Sequence, residues 1–395
     1  MSRRHEGHIR ERSPGSFEIR YTLPPDPWTG KRKVVTTTFR GQRREAMAEL
    51  RRRLRSIDTS EHVDPSRVTV GQWLDTWLTS ILEEVSPKTH ERYAEVVRNY
   101  LRPRFGVLQL AKLTPPHIQA AYTEWAEGGR LDGRPGGLSP QTRRHMHRIL
   151  RAALLRSVEQ QLIARNPADA FRKRLPKVER REMVALTVDQ AQTLLAALRH
   201  TRTYWPALVA LATGMRRGEI LALRWRNVDL DRGIVRVTGS LEQTKAGLRF
   251  KAPKTNRSRA ITLPAFAVEE LRRLKREQAE TFLALGMRPN LDTLVCCRED
   301  GEPLQPRSLT HEFTRLVARA KGVPRVRFHD LRHSHATQLL ADGVHPKVAQ
   351  ERLGHSTIAT TLDLYSHVTS TMQEDAASRL DAAYKSALKS PAGGA

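Results

Sequence analysis

Five side chains in the second half of the chain have types and local spacing that suit exchange at a phosphodiester bond; they are Arg216, His329, Arg332, His355 and Tyr365. Two arginine forks can neutralise the extra negative charge on the non-bridging oxygens of the transition state. Histidines can hydrogen-bond the phosphate and accept or relay the nucleophile's proton. A tyrosine can attack and store the bond energy as a phosphotyrosyl ester. This set predicts covalent chemistry that needs no metal and no nucleotide cofactor.

The first arginine of this set follows a glycine turn, Thr213-Gly214-Met215. The turn places Arg216 at a helix start. Glu219 stands three residues later and can hold the guanidinium, although an i, i+3 pair alone is most often an exposed ion pair that stabilises a helix only weakly.

The remaining members lie in two short segments near the C-terminus. His329 and Arg332 are spaced i, i+3 and therefore share a helical face. A glycine before His355 allows a tight turn close to a ligand. Tyr365 follows ten residues later, after a helix-compatible stretch that would bring it back to the same place.

The leaving oxygen needs a general acid, and a lysine at a hairpin tip could reach it on a flexible stem. Lys254, in Pro253-Lys254-Thr255 between two predicted strands, is the best placed. Lys245 and Lys251 are alternatives.

The charge of the chain points to a polyanionic partner. Its 395 residues contain 68 Lys and Arg against 42 Asp and Glu, a net charge of +26. Residues 1–60 carry 15 basic and 7 acidic groups (+8), residues 61–180 carry 20 and 13 (+7), and residues 181–395 carry 33 and 22 (+11). Charge spread over every segment is typical of a protein that follows a nucleic-acid backbone.

Composition also bounds the class and location of the protein. Cys296 and Cys297, its only cysteines, fit no ordinary disulfide and no metal-type spacing, which indicates a reducing compartment. No apolar run approaches a membrane span, and the N-terminus lacks a signal-peptide core. We expect a soluble, cytoplasmic protein without membrane contact.

The first 60 residues predict a small sheet with one helix. Short strands are expected over residues 7–40, at 16–23 and 34–39 in particular, followed by a helix over 42–57 with a dense arginine face. This basic unit is predicted to bind DNA.

An all-helical segment is expected over residues 66–170, beginning with a helix over 70–82. Two later helices start with Ser-Pro-x-Thr, at Ser86 and Ser139, where serine caps the helix and proline occupies its first position. In the helix that starts at Ser139, Arg144, Arg148 and Arg151 lie on one face. The sequence around them lacks local acidic residues that would neutralise their charge, so we interpret this face as a phosphate-binding surface. The predicted DNA contacts are Lys88, Thr89, Thr142, Arg144, Arg148 and Arg151.

The last part of the chain predicts an α+β domain. Helices are expected at 187–198, 205–212, 217–224, 265–285, 307–321, 331–341, 346–353 and 371–386, and strands at 234–241, 248–250 and 259–263. The fold class is therefore multidomain and mainly α, with a small N-terminal sheet-plus-helix unit, a helical domain and an α+β domain with a small antiparallel sheet.

Arg216, Lys254, His329, Arg332, His355 and Tyr365, in that order, resemble the active-site set of the tyrosine recombinases, the phage-integrase family. Residues 212–223 resemble its first-arginine box, 329–337 its His-x-x-Arg box and 353–367 its Gly-His…Tyr box. One departure is Asn227, where many members have Asp, and we expect its role to be structural.

The resemblance implies three domains: 1–62 for arm-type DNA sites, 63–176 for core-site binding and 180–395 for catalysis. It implies a site-specific recombinase that forms a 3′-phosphotyrosyl intermediate and integrates or excises a mobile element. The implied partners are double-stranded DNA at core and arm sites, a tetramer on DNA, an excisionase and a host DNA-bending protein. A helix over 371–386 would dock on a neighbouring protomer or pack on its own domain.

Three other functions compete with this interpretation. His329 and His333 superficially resemble a zinc-hydrolase pair, but Arg332 projects from the same turn and would repel a dication. A non-catalytic DNA-binding regulator fits the basic stripes, although Tyr365 with both arginine boxes argues against it. A type IB topoisomerase would share the chemistry, but two N-terminal DNA-binding segments favour a recombinase that pairs two duplexes.

Overall fold

The computed structural model describes residues 7–22, 32, 34–58, 68–179, 183–252 and 258–365, and positions 377, 378, 380–382, 384 and 385. By its contacts the chain divides into two units, Met1–Glu179 and Arg180–Ala395. The division into three domains stays a prediction. Most of the helix predicted over 371–386 lies outside the described residues.

The N-terminal part of the first unit is an antiparallel sheet covered by one helix. Its elements are β1 (Gly7–Ser13), β2 (Ser16–Thr22), β3 (Val34–Arg40) and α1 (Arg43–Asp58), with strand order β1-β2-β3. Phe17, Ile19 and Tyr21 alternate along β2 and are buried with Ala46 of α1. Because side chains alternate between the two faces of a strand, the other face carries mostly polar residues, with Val34 as an exposed apolar residue among them. The predicted strands and helix of this part are confirmed.

The rest of the first unit is helical, as expected. Its helices are α2 (Val70–Ser80), α3 (Pro87–Val96), α4 (Arg102–Phe105), α5 (Pro115–Glu127) and α6 (Pro140–Glu159). Ser86 Oγ accepts a hydrogen bond from the Thr89 amide at 3.3 Å, and Ser139 Oγ accepts one from the Thr142 amide at 3.2 Å. Both predicted caps are thus present. Inward residues of α2 and α6, Trp73 and Leu150 among them, share one buried core.

The second unit surrounds two small sheets with helices. Its helices are α7 (Val188–Leu198), α8 (Tyr204–Thr213), α9 (Arg217–Leu221), α10 (Ala265–Ala284), α11 (Pro306–Val317), α12 (Asp330–Ala341), α13 (Pro346–Leu353) and α14 (Ile358–Tyr365). Its strands are β4 (Val228–Asp229), β5 (Ile234–Val237), β6 (Ser240–Thr244), β7 (Gly247–Lys251) and β8 (Arg259–Thr262). The three-stranded sheet has the order β4-β5-β8, and β6 pairs with β7.

Three predicted elements of this unit need correction. The helix expected over 307–321 ends at Val317. The single strand expected over 234–241 is two strands: Val237 pairs with Arg259 in one sheet, whereas Ser240 pairs with Lys251 in the other. The chain therefore changes sheets between them. The helix expected over 217–224 ends at Leu221, because the following residues pair with 293–295 through backbone hydrogen bonds such as Val295 N–H to Leu223 O at 2.8 Å.

Two further expectations concern single residues. Cys296 and Cys297 are both free thiols, as predicted. Asn227 donates a side-chain hydrogen bond to the Thr238 hydroxyl at 3.0 Å, which supports the structural role expected for it.

Within the part of the chain that the structure describes, no helix has the length and apolarity to cross a membrane.

Candidate active site

Arg216 stands where α8 ends and α9 begins. Gly214 closes α8 with a left-handed backbone (φ 66°), and a Cβ there would lie 2.6 Å from the His335 ring. Glu219 accepts from the Arg216 backbone N–H and from its Nη1, both at 2.9 Å. Nη2 donates to Gly354 O at 2.9 Å. The predicted contact between Arg216 and Glu219 is therefore present, and 44% of the arginine side chain remains exposed.

Arg332 lies on α12 and is only 3% exposed. It donates to two carbonyls, Gly214 O at 2.7 Å and Leu353 O at 2.8 Å, and so joins the ends of α8 and α13. Burial, with a smaller contribution from the nearby charge of Arg216, lowers the pKa of Arg332 to about 9. The guanidinium still carries its charge at neutral pH. Its hydrogen bonds to described residues go to carbonyls, so this buried charge suits an anionic ligand.

The two predicted histidines are placed by helix boundaries. His329 is the N-cap residue of α12. Its ring packs edge to face against the ring of His333, with the two ring centroids 4.9 Å apart. Desolvation and the neighbouring His333 lower the pKa of His329.

His355 directly follows Gly354, which ends α13 with a left-handed backbone (φ 67°). Its Nδ1 lies 2.9 Å from the hydroxyl of Thr361 on α14. Burial and then the charges of Arg332 and Arg216 lower the pKa of His355 to about 4. The ring is therefore neutral near pH 7, as a proton acceptor must be.

Of the remaining two predicted residues, the structure describes the backbone of Tyr365 but no part of Lys254. Tyr365 is the last residue of α14, which begins three residues after His355, and its side chain lies outside the description. Lys254 lies in the segment 253–257, which is outside the described residues. The two described strands that flank this segment belong to different sheets, because β7 pairs with β6 and β8 pairs with β5.

The two alternative lysines lie on the β6–β7 hairpin. Lys251 Nζ contacts Glu242 Oε1 at 2.6 Å, so its ammonium group is held by a carboxylate. Lys245 stands at the turn between Thr244 and Gly247. The role of each of the three lysines stays a prediction.

Sequence reasoning missed two arginines of this cluster. Arg259, at the start of β8, donates from Nη2 and Nη1 to the two Glu219 oxygens at 2.7 and 3.1 Å, and from Nε to Arg352 O at 2.9 Å. Arg352, at the end of α13, donates to Ala212 O at 3.0 Å and to Thr262 O at 2.8 Å. Their partners are distant in sequence, so no local pattern indicates them.

The cluster as a whole is strongly cationic. Four guanidinium groups, from Arg216, Arg259, Arg332 and Arg352, gather around the ends of α8 and α13 with the Glu219 carboxylate among them. Such a site can bind a phosphate through charge-assisted hydrogen bonds. No group of three or more potential metal-binding side chains occurs among the residues that the structure describes.

The predicted DNA contacts of the first unit differ in their surroundings. Arg144 is exposed on α6, and Arg148 donates to His145 Nδ1 at 2.8 Å. The Thr89 and Thr142 hydroxyls lie 2.9 Å from the hydroxyls of their capping serines.

The absence of balancing acids, expected for the arginine stripe of α6, does not hold at Arg151, and a predicted DNA-binding lysine on α3 also contacts an acid. Arg151 pairs with Asp169 at 2.6 Å, an acid eighteen residues away in sequence that the fold brings to it. Lys88 pairs with Glu91 at 3.1 Å. Their DNA contacts stay predictions.

Two family models match the chain. The phage integrase family model matches residues 185–372, a range that includes every predicted catalytic position. The model of the N-terminal SAM-like domain of phage integrases matches residues 69–126, within the helical part of the first unit.

Known proteins resemble the chain over most of its length. The ICEBs1 integrase of Bacillus subtilis (strain 168) is 25% identical over 377 residues, covering 94% of this chain and 99% of the relative. A tyrosine recombinase XerC of Mycobacterium sp. (strain KMS) is 34% identical over 225 residues, covering 54% of this chain and 67% of the relative.

A solved structure shares the fold. A lambda integrase tetramer bound to a Holliday junction matches with a TM-score of 0.56 and 20% identity, covering 88% of this chain and 95% of that one. The two matching family models and the XerC relative show that the chain belongs to the phage integrase family of tyrosine-type site-specific DNA recombinases.

Proposed function

We propose that the chain cleaves and rejoins DNA strands through a 3′-phosphotyrosyl bond to Tyr365, and that it thereby integrates or excises a mobile element. The observation that carries this proposal is the buried positive charge of Arg332. Its guanidinium donates hydrogen bonds to two backbone carbonyls and lies near Arg216. A buried cation with spare hydrogen-bonding capacity favours an anionic ligand, and the scissile phosphate supplies one.

The proposed reaction exchanges one phosphorus–oxygen bond for another. The phenolic oxygen of Tyr365 bonds to phosphorus, and the bond from phosphorus to the 5′ oxygen breaks. His355, neutral near pH 7, accepts or relays the tyrosine proton, and Lys254 protonates the leaving oxygen. Arg216 and Arg332 neutralise the charge on the non-bridging oxygens. In the rejoining step a 5′ hydroxyl of another strand attacks phosphorus and releases the tyrosine.

The two DNA-binding parts of the first unit would bind different sites. The helical part would bind the core site around the cleavage point, with Arg144 and Arg148 near phosphates. The N-terminal sheet presents Arg10, Arg20 and Arg40 on the face opposite its core, and all three are exposed. A strand face of this kind fits a groove of an arm site.

Complete exchange needs two duplexes and four cuts, so the active form would be a tetramer assembled on DNA. The lambda integrase tetramer supports this part of the proposal by shared fold. An excisionase and a host DNA-bending protein would set the direction of the reaction. The protein would work in the cytoplasm.

A nicked duplex carrying a candidate attachment site tests the proposal. The nick lets a short fragment diffuse away after cleavage, so the enzyme stays attached. We expect a protein–DNA adduct that survives detergent, forms in EDTA without ATP, and maps by peptide sequencing to Tyr365. An adduct on another residue, or cleavage that needs Mg²⁺, would overturn the proposed chemistry.

Deletion of residues 1–60 tests the arm-site part separately. Core-site cleavage should survive, while footprint protection of a flanking sequence and integration on full-length attachment DNA are lost. The same footprint with uniformly weaker affinity would show that this part has no site of its own.

A further inference from the structure

The Glu219 carboxylate is shared between two arginines that come from different elements. Arg216, before α9, contacts Oε1 through Nη1 and Oε2 through its backbone N–H. Arg259, on β8, contacts both oxygens through its two terminal nitrogens. The carboxylate is buried, with 9% of its side chain exposed, whereas Arg259 is 16% and Arg216 is 44% exposed.

Arg259 is itself fixed by the segment that carries His355. Its Nε donates to Arg352 O at 2.9 Å, at the end of α13. A Cβ on Gly354 would lie 3.0 Å from its Nη1, so the turn before His355 packs directly against this guanidinium. Arg216 Nη2 binds the same turn at Gly354 O. The two arginines thus hold the carboxylate and the turn together.

Glu219 remains ionised, so the way its negative charge is shared between Arg216 and Arg259 affects the charge of Arg216. Burial alone would raise its pKa, but the hydrogen bonds and charge of Arg259, and then Arg216, outweigh burial and lower it. With Arg259 removed, the full negative charge would act on Arg216. That charge would neutralise the exposed guanidinium and draw its donors toward the protein.

We propose that Arg259 is a positioning residue for strand transfer: by holding Glu219 with two hydrogen bonds, it leaves the charge and outward donors of Arg216 available to the scissile phosphate. The inference rests on the proposed function, in which Arg216 binds that phosphate. Arg259 is not proposed to touch DNA itself.

Arg259→Gln removes the charge and the fork, and Arg259→Lys keeps the charge alone. Single-turnover cleavage of the nicked duplex should fall about 10- to 100-fold in Arg259→Gln and less in Arg259→Lys, as expected when a catalytic group is misplaced. Gel-shift affinity should stay within about twofold. Arg273→Gln removes an arginine that pairs with Glu270 and Glu277 outside the site, and should cleave at the wild-type rate.

A substrate with a methylphosphonate at the scissile position separates positioning from folding. This group carries no charge on its non-bridging atoms, so it depends less on the charge of Arg216. We expect the loss in Arg259→Gln to shrink to about threefold or less on this substrate. An equal loss on both substrates, or no loss on either, would overturn the positioning role.

The double variant Glu219→Gln with Arg259→Gln covers the case in which Arg259→Gln folds poorly, because it removes both charges together. Its cleavage rate should match that of Glu219→Gln alone, which makes the two losses non-additive. Additive losses would overturn the inference. Failure of the wild-type protein to form any adduct would instead refute the proposed function.

Discussion

Arg352 Nε donates a hydrogen bond to His335 Nε2 at 3.0 Å, while His335 Nδ1 lies 2.7 Å from Leu211 O. Nε2 therefore accepts and Nδ1 donates, which is possible only for a neutral ring. Burial and then the charge of Arg352 lower the pKa of His335 to about 4. This pair joins α12 to α8 and α13, and its arginine is a member of the cationic cluster.

The neutral His335 predicts that stability falls in mild acid. The folded-state pKa lies below the unfolded value of about 6.5, so the unfolded state binds more protons as pH falls from 6.5 toward 4. Between pH 7 and pH 5 this residue should lower the free energy of unfolding by about 2 kcal/mol. Urea denaturation at both pH values should show a smaller drop in His335→Asn than in the wild type. An identical drop would contradict the assignment.

Lysine substitution should slow cleavage at both predicted catalytic arginines but reduce protein stability only at the buried Arg332. A lysine keeps the charge but cannot form the fork, so Arg216→Lys and Arg332→Lys should each slow cleavage by ~100-fold. Arg332→Lys should also destabilise the second unit by about 1–3 kcal/mol, because two buried carbonyls lose their donors. Single-turnover rates and denaturation curves check both effects. Near-normal cleavage in both variants would mean that these arginines only hold structure.

The contact between His355 and Thr361 predicts a role for a buried hydroxyl. Thr361 is fully buried on the helix that ends at Tyr365, and Thr361→Val keeps its shape without the hydroxyl. The imidazole would lose its fixed orientation, so cleavage should fall about tenfold with DNA affinity unchanged. Thr361→Ser retains the hydroxyl and should cleave normally. Equal rates in the valine and serine variants would refute the role.

Local sequence patterns predicted most of the fold and part of the site. The Ser-Pro-x-Thr starts, the Arg216–Glu219 spacing and the glycine before His355 act within one turn of chain, so the sequence shows them directly. Arg259 contacts Glu219 across forty residues, and that pairing depends on how the sheets pack. Asp169 balances Arg151 for the same reason. Long-range contacts between charged side chains leave no periodic signal.

Lys254→Ala tests the choice of general acid. The variant should cleave an ordinary phosphodiester slowly, and a bridging sulfur at the leaving position should largely restore cleavage, since a thiolate departs without protonation. Lys245→Ala and Lys251→Ala serve as matched controls. Rescue by sulfur in either control, and not in Lys254→Ala, would move the assignment to that lysine.

Replacement of the nucleophile tests the central claim most directly. Tyr365→Phe removes one oxygen and should leave folding and DNA affinity nearly intact. On the nicked attachment-site duplex, we predict normal gel-shift binding by this variant, no detectable cleavage and no detergent-resistant adduct. Cleavage or adduct formation by Tyr365→Phe at the wild-type rate would contradict covalent strand exchange through this tyrosine.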